Sequence, residues 1–272
     1  MSVKKEAERR SVELTLEVPG TPEEVWRAIA TGPGTTAWFV PTEIEERAGG
    51  TLLFHLLPGL DSAGRVTAWQ PPERFAYEEP AWSEGAPPLA TEILVEARSG
   101  GTCVVRMVHS LFTSSDAWDD QLESMENGWP PFFEVLRIYL AHHRDQHCTP
   151  VQLMRVPKAS PDHAWGVLEA ALQLSASLGE RITSAAPRLA GQPVWRQDRP
   201  KQRCAVVHLE APGPGALVVS CFEMGGETYA TLGIYLYGAR RDDGRHIEAA
   251  QRVEAEWRPW FEGLIFDAPS VS

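Results

Sequence analysis

Residues 118–143, WDDQLESMENGWPPFFEVLRIYLAHH, decide the reading of the fold. Trp118, Leu122, Met125, Trp129, Phe132, Leu136 and Tyr139 recur at alternating gaps of four and three, which places them on one face of a helix as a continuous apolar stripe. Such a helix is built to lie on a sheet. Pro130 and Pro131 each lack a backbone donor and crowd the preceding turn. The pattern therefore predicts a kink or restart after Trp129, with the main segment beginning at Pro130.

Upstream, residues 12–18 (VELTLEV) alternate apolar and polar and predict a strand with one buried face. Pro19 and Gly20 end it, and Thr21-Pro22-Glu23-Glu24 supplies a cap, a proline and first-turn acids for a short helix through Ala30, closed by Gly32-Pro33-Gly34. Short apolar runs separated by turn residues follow at 43–47, 51–57, 64–70, 74–79, 90–98 and 102–112. A strand, short helices, six antiparallel strands and a long final helix are the parts of a helix-grip fold. In this α+β arrangement a curved sheet wraps a C-terminal helix and leaves a cavity between them.

The second half repeats the first in reduced form. Val12 to Trp26 aligns without a gap on Val151 to Trp165, and GWPPFFEVL from Gly128 aligns on EWRPWFEGL from Glu256. Between them lie an expected helix, 161–177, and strand-like runs at 194–197, 203–209, 216–222 and 228–237, fewer than in the first half. Both ends of one unit recur in the same order, which predicts tandem helix-grip domains at 10–147 and 150–268.

Composition sets the outer limits. With 43% hydrophobic residues, 23% charged and 10 Trp, the 272 residues have ample material for folded cores. Residues 1–149 hold 12 Lys+Arg against 23 Asp+Glu, and the rest 13 against 14. Neither half has the basic surface that phosphate neutralisation requires, so nucleic acid is not an expected partner. The charged N-terminus, MSVKKEAERR, leads into no apolar stretch, and no run is long enough to span a membrane, so a cytoplasmic protein without a membrane partner is expected. Cys103, Cys148, Cys204 and Cys221 form no CxxC pair and read as free thiols.

One residue points to chemistry. On the strand 102–112, His109 shares the parity of Cys103, Val105, Met107 and Leu111, so a group able to bond a ligand or carry a proton faces the apolar side. A core histidine satisfied by a backbone carbonyl is the plainer reading. Trp38, Phe54, Trp69, Tyr77 and Trp129, with Phe133 beside the proline pair, are the rings expected to wall the same space and contact an apolar ligand. His143, His147 and Cys148 share one segment, but no partner pair of ligands is evident, and histidines favour helix C-termini through the dipole; no metal is expected. Nucleophile elbow, phosphate-binding glycine loop, HExxH and dinucleotide fingerprint are all missing, and no cofactor is expected.

Five segments carry a family resemblance in order: EVPGTPEEVWRAI, AGGTLLF, GRVTAWQPPERFAYE, GGTCVVRMVHSLF and NGWPPFFEVLRIYL. Over residues 10–145 they resemble the SRPBCC (START-like) superfamily, in the branch named after the activator of the heat-shock-protein ATPase. The proline pair departs from the straight terminal helix of that pattern. The resemblance implies a small hydrophobic ligand held between sheet and terminal helix. It also implies two rival roles: a polyketide aromatase/cyclase-like enzyme, since tandem helix-grip proteins include these, or a co-chaperone-like interaction protein.

Overall fold

In a computed structural model, residues 3–57, 59–238 and 245–266 are described. The chain divides into two compact units, 1–145 and 146–272. Residues 267 and 268, the last of the expected second domain, lie outside the described set.

The first unit runs β1 (Lys4–Glu6), β2 (Arg9–Pro19), α1 (Pro22–Ala30), α2 (Gly32–Thr36), β3 (Thr42–Ile44), β4 (Thr51–Leu57), β5 (Leu60–Gln70), β6 (Arg74–Glu79), β7 (Leu89–Arg98), β8 (Thr102–Leu111) and α3 (Asp119–His142). The strands form one antiparallel sheet in the order β1-β2-β8-β7-β6-β5-β4-β3. Strands β3 to β8 are a meander, and β2 returns to pair with β8, its register set by Val12 opposite His109. Thr21 and Glu24 close a reciprocal capping box on α1: Thr21 N–H donates to Glu24 Oε2 at 2.9 Å and Glu24 N–H to Thr21 Oγ1 at 3.3 Å. The glycine–proline run that ends α1 also opens α2, because Thr31 Oγ1 accepts from Gly34 N–H at 3.1 Å.

The second unit runs β9 (His147–Arg155), α4 (Pro161–Leu172), β10 (Ile182–Ala185), β11 (Arg188–Arg199), β12 (Gln202–Ala211), β13 (Gly215–Met224), β14 (Glu227–Gly238) and α5 (Arg245–Gly263). Its sheet order is β10-β11-β12-β13-β14-β9, so β9 pairs with the last strand, β14, as β2 pairs with β8 in the first unit. Trp26 and Trp165 occupy the same place in α1 and α4, and both are buried. Arg155 ties off α5 by donating to the carbonyls of Phe261 at 2.8 Å and Leu264 at 2.7 Å, which serves carbonyls left open at a helix end. The chain is α+β, two helix-grip domains in tandem.

Several expectations need correction. The terminal helix does not restart at Pro130: it begins at Asp119 and continues through both prolines. Each proline removes one donor, but Leu122 before the pair and Phe133, Val135, Leu136, Ile138, Tyr139 and Leu140 after it are buried, and that packing outweighs the lost ladder bonds. The helix expected at 161–177 ends at Leu172, where Gln173 adopts a left-handed conformation with φ of 57°. The strand expected from Gly64 begins at Leu60, and that expected to end at Phe112 ends at Leu111, leaving Phe112 exposed. The run at 43–47 contributes only Thr42–Ile44, and β1 and β10 were not anticipated.

Candidate functional site

Inside the first unit a cavity of about 280 Å³ opens between the sheet and α3. Its walls are Phe39, Phe54, Leu56, Tyr77, Trp82, Leu89, Met125, Gly128, Trp129 and Phe132, and the polar groups reaching it are Ser62, Glu79 and His109. Strand register assembles these groups. Tyr77 pairs with Thr91 and Thr91 with His109, so three polar side chains form one row across β6, β7 and β8. One step along, Glu79 pairs with Leu89, and Leu89 with Leu111.

His109 is 2% exposed. Its Nδ1 lies 2.9 Å from Thr91 Oγ1, and its ring stacks on Trp129 with centroids 5.6 Å apart and planes 19° from parallel. Among the described residues none bonds its Nε2, although that atom is buried. Burial holds its pKa down at about 4, so it is neutral at pH 7. The partner is thus a threonine hydroxyl, where the plainer sequence reading anticipated a backbone carbonyl.

Glu79 is the second polar centre. It is 8% exposed, and Ser62 Oγ donates to its Oε1. Burial pushes the carboxyl above its ordinary 4.5, and the Ser62 hydrogen bond draws it part of the way back. Burial pushes the Tyr77 phenol up as well, reinforced by the charge of Glu79 and opposed by a hydrogen bond from Thr91. Among the described residues no lysine or arginine lines the cavity.

A raised carboxyl makes the ionised form a cost to folding. The contribution of Glu79 to stability is therefore expected to fall as the pH climbs past 4.5 and through its folded value, opposite in sign to that of His109. Glu79→Gln keeps the shape and removes the charge. It is expected to gain about 1 kcal/mol or more at pH 8, with the two proteins converging near pH 4. Thermal melts across that range check this; a variant less stable at pH 8 would mean that the Ser62 bond outweighs the buried charge.

The sequence candidates divide. Phe54, Tyr77, His109 and Trp129 border the cavity together. Trp38 instead lines a deeper space of about 10 Å³, room for roughly one water, and its indole N–H donates to the Ala28 carbonyl at 2.9 Å. Phe133 stands behind the wall, stacked on Trp129 at 5.8 Å. Trp69 lines neither space and packs on Trp26 at 5.1 Å and Phe75 at 5.7 Å. Ser62, Glu79 and Thr91 were missed. Parity carried the signal for two of them, since Glu79 follows Phe75 and Tyr77, and Thr91 precedes Ile93 and Val95.

The second unit differs at the corresponding place. Trp257, the counterpart of Trp129, is fully buried in a continuous core with Trp165, Leu168, Phe261 and Phe266. All four cysteines are free thiols. Among the described residues no cluster of three or more His, Cys, Asp or Glu is placed to hold a metal, and no helix is long and apolar enough to cross a membrane.

Residues 19–141 match the family model described as Activator of Hsp90 ATPase homolog 1-like protein. Among curated proteins nothing matches. Solved structures similar to this chain include protein MLL2253 from Mesorhizobium loti, at 20% identity and a TM-score of 0.45 over 49% of this chain and 98% of that one. The Aha1 dimer from Colwellia psychrerythraea is 18% identical with a TM-score of 0.40, covering 48% of this chain and 95% of that one. The di-domain ARO/CYC BexL from the BE-7585A biosynthetic pathway is 14% identical with a TM-score of 0.44, covering 93% of this chain and 95% of that one.

Proposed function

Because the first unit of this chain belongs to the Activator of Hsp90 ATPase homolog 1-like family, we propose that it binds a small, largely apolar molecule in the cavity between its sheet and α3. The observation that carries this reading is the lining: nine apolar or aromatic residues and Gly128 surround the space with Ser62, Glu79 and His109 among them. A site of that make-up takes up an apolar body and orients it by a few hydrogen bonds. Phe54, Tyr77, His109 and Trp129 would touch the ligand, joined by Phe39, Trp82 and Phe132; Trp38 and Phe133 would support that wall. His109, neutral at pH 7, would offer Nε2 as a single fixed polar contact.

Gly128 makes the test selective. It lines the cavity, and a Cβ built there meets nothing within 4 Å. Gly128→Leu should fill the cavity while improving helix propensity by about 0.5–1 kcal/mol. Titration calorimetry with neutral phenylalkanols should show binding to wild type and at least about tenfold weaker binding to the variant, with a melting temperature no lower. Equal affinity in a folded Gly128→Leu protein would reject the cavity as the site.

A further inference from the structure

Resting on that cavity reading, we infer that the ligand is an organic cation: a protonated amine on an aryl or alkyl body, with its ammonium on Glu79 and its body among the aromatic walls. Glu79 is more than nine-tenths buried, and the only hydrogen bond to its carboxyl among the described groups comes from the neutral hydroxyl of Ser62. A buried carboxylate needs an opposite charge or a proton, and among the described residues of the cavity lining there is no lysine or arginine to supply the first. An incoming ammonium supplies it.

The rest of the lining suits the same ligand. Phe39, Phe54, Tyr77, Trp82, Trp129 and Phe132 surround the space, and electron-rich rings attract a desolvated cation. His109 presents a ring nitrogen without a partner among the described residues, and a neutral imidazole accepts as readily as it donates. A carboxylic acid ligand would set two carboxylates in one dry space, where one must give up its charge. The upward push on the Glu79 carboxyl accords with a group that has no cation of its own beside it.

The experiment pairs 4-phenylbutylamine with 4-phenylbutanol, which differ only in the terminal group, by titration calorimetry at pH 7.5. Wild type is expected to bind the amine at least about tenfold tighter than the alcohol. Glu79→Gln should bring the two affinities level by weakening the amine alone. Alcohol binding without a preference for the amine would overturn the cation inference and leave the apolar-ligand reading standing. An amine preference that survives in Glu79→Gln would also overturn it, by assigning the charge elsewhere. If neither compound binds, nor the phenylhexyl pair, both readings fall. Should Glu79→Gln not fold, the ratio of wild-type affinities decides by itself.

Discussion

Lowering the pH from 7 to 4 is expected to cost the first unit about 3 kcal/mol through His109 alone. The sign follows from where the proton binds. In the unfolded chain the imidazole takes a proton near its ordinary 6.5, whereas burial holds the folded value at about 4. Between those values the unfolded state binds the extra proton, so stability drains as the pH falls through that window and levels off below it. The other titrating groups at the cavity are Glu79 and Tyr77, both pushed upward; a measured difference against His109→Gln removes their common contribution. Glutamine can keep a bond to Thr91 and does not titrate. Urea unfolding at pH 7, 6, 5 and 4 should show the wild type losing about 3 kcal/mol more than the variant. Parallel curves would mean that His109 is accessible to protons in the folded state.

Gly34→Ala is expected to destabilise by about 3 kcal/mol or more and to remove ligand binding with it. A Cβ at Gly34 would lie 1.9 Å from the Arg27 carbonyl oxygen and 2.9 Å from Ala28 Cα, both backbone atoms that cannot swing aside. The start of α2 must then leave α1. That junction is held by Thr31 Oγ1 donating to the Arg27 carbonyl at 2.7 Å, Thr35 Oγ1 to that of Ile29 at 3.2 Å, and Trp38 Nε1 to that of Ala28 at 2.9 Å. Trp38 and Phe39 follow α2 directly, and Phe39 meets Trp129 at 4.6 Å and Phe54 at 5.6 Å, so the cavity wall moves with it. Gly128→Ala is the matched control, since its new methyl meets open space. Urea midpoints should shift in opposite directions; similar shifts would show that α2 tolerates separation from α1.

Much of the architecture was legible in the residues. Alternation along β2 and β8, the capping residues Thr21 and Glu24 and the three-four spacing of α3 are local patterns, and each follows from which side of an element must be dry. The inward face of His109 was legible for the same reason: parity along a strand is unaffected by which strands lie beside it. So was the tandem repeat, because Trp26 and Trp165 stand at one spacing from their strands and occupy one position in their helices.

What the tertiary structure decided was which polar groups meet. Ser62 was outside the expected strand because Leu60-Asp61-Ser62-Ala63 has no apolar alternation, and only pairing with β4, Phe54 opposite Ser62, draws it into β5 and onto Glu79. Thr91 is unremarkable in sequence and becomes the partner of His109 through cross-strand register, a property of two strands that neither contains alone. Trp69 is as large and apolar as Trp129, yet it packs against α1, since a register shift between Val66 and Ala68 lies just before it in β5. The prolines of α3 report a local cost, and burial of the helix face, summed over eight residues, outweighs it. Periodicity determined the elements and their dry faces; the meeting of a buried carboxylate and a buried imidazole in one cavity lining came from long-range register, which local sequence does not encode.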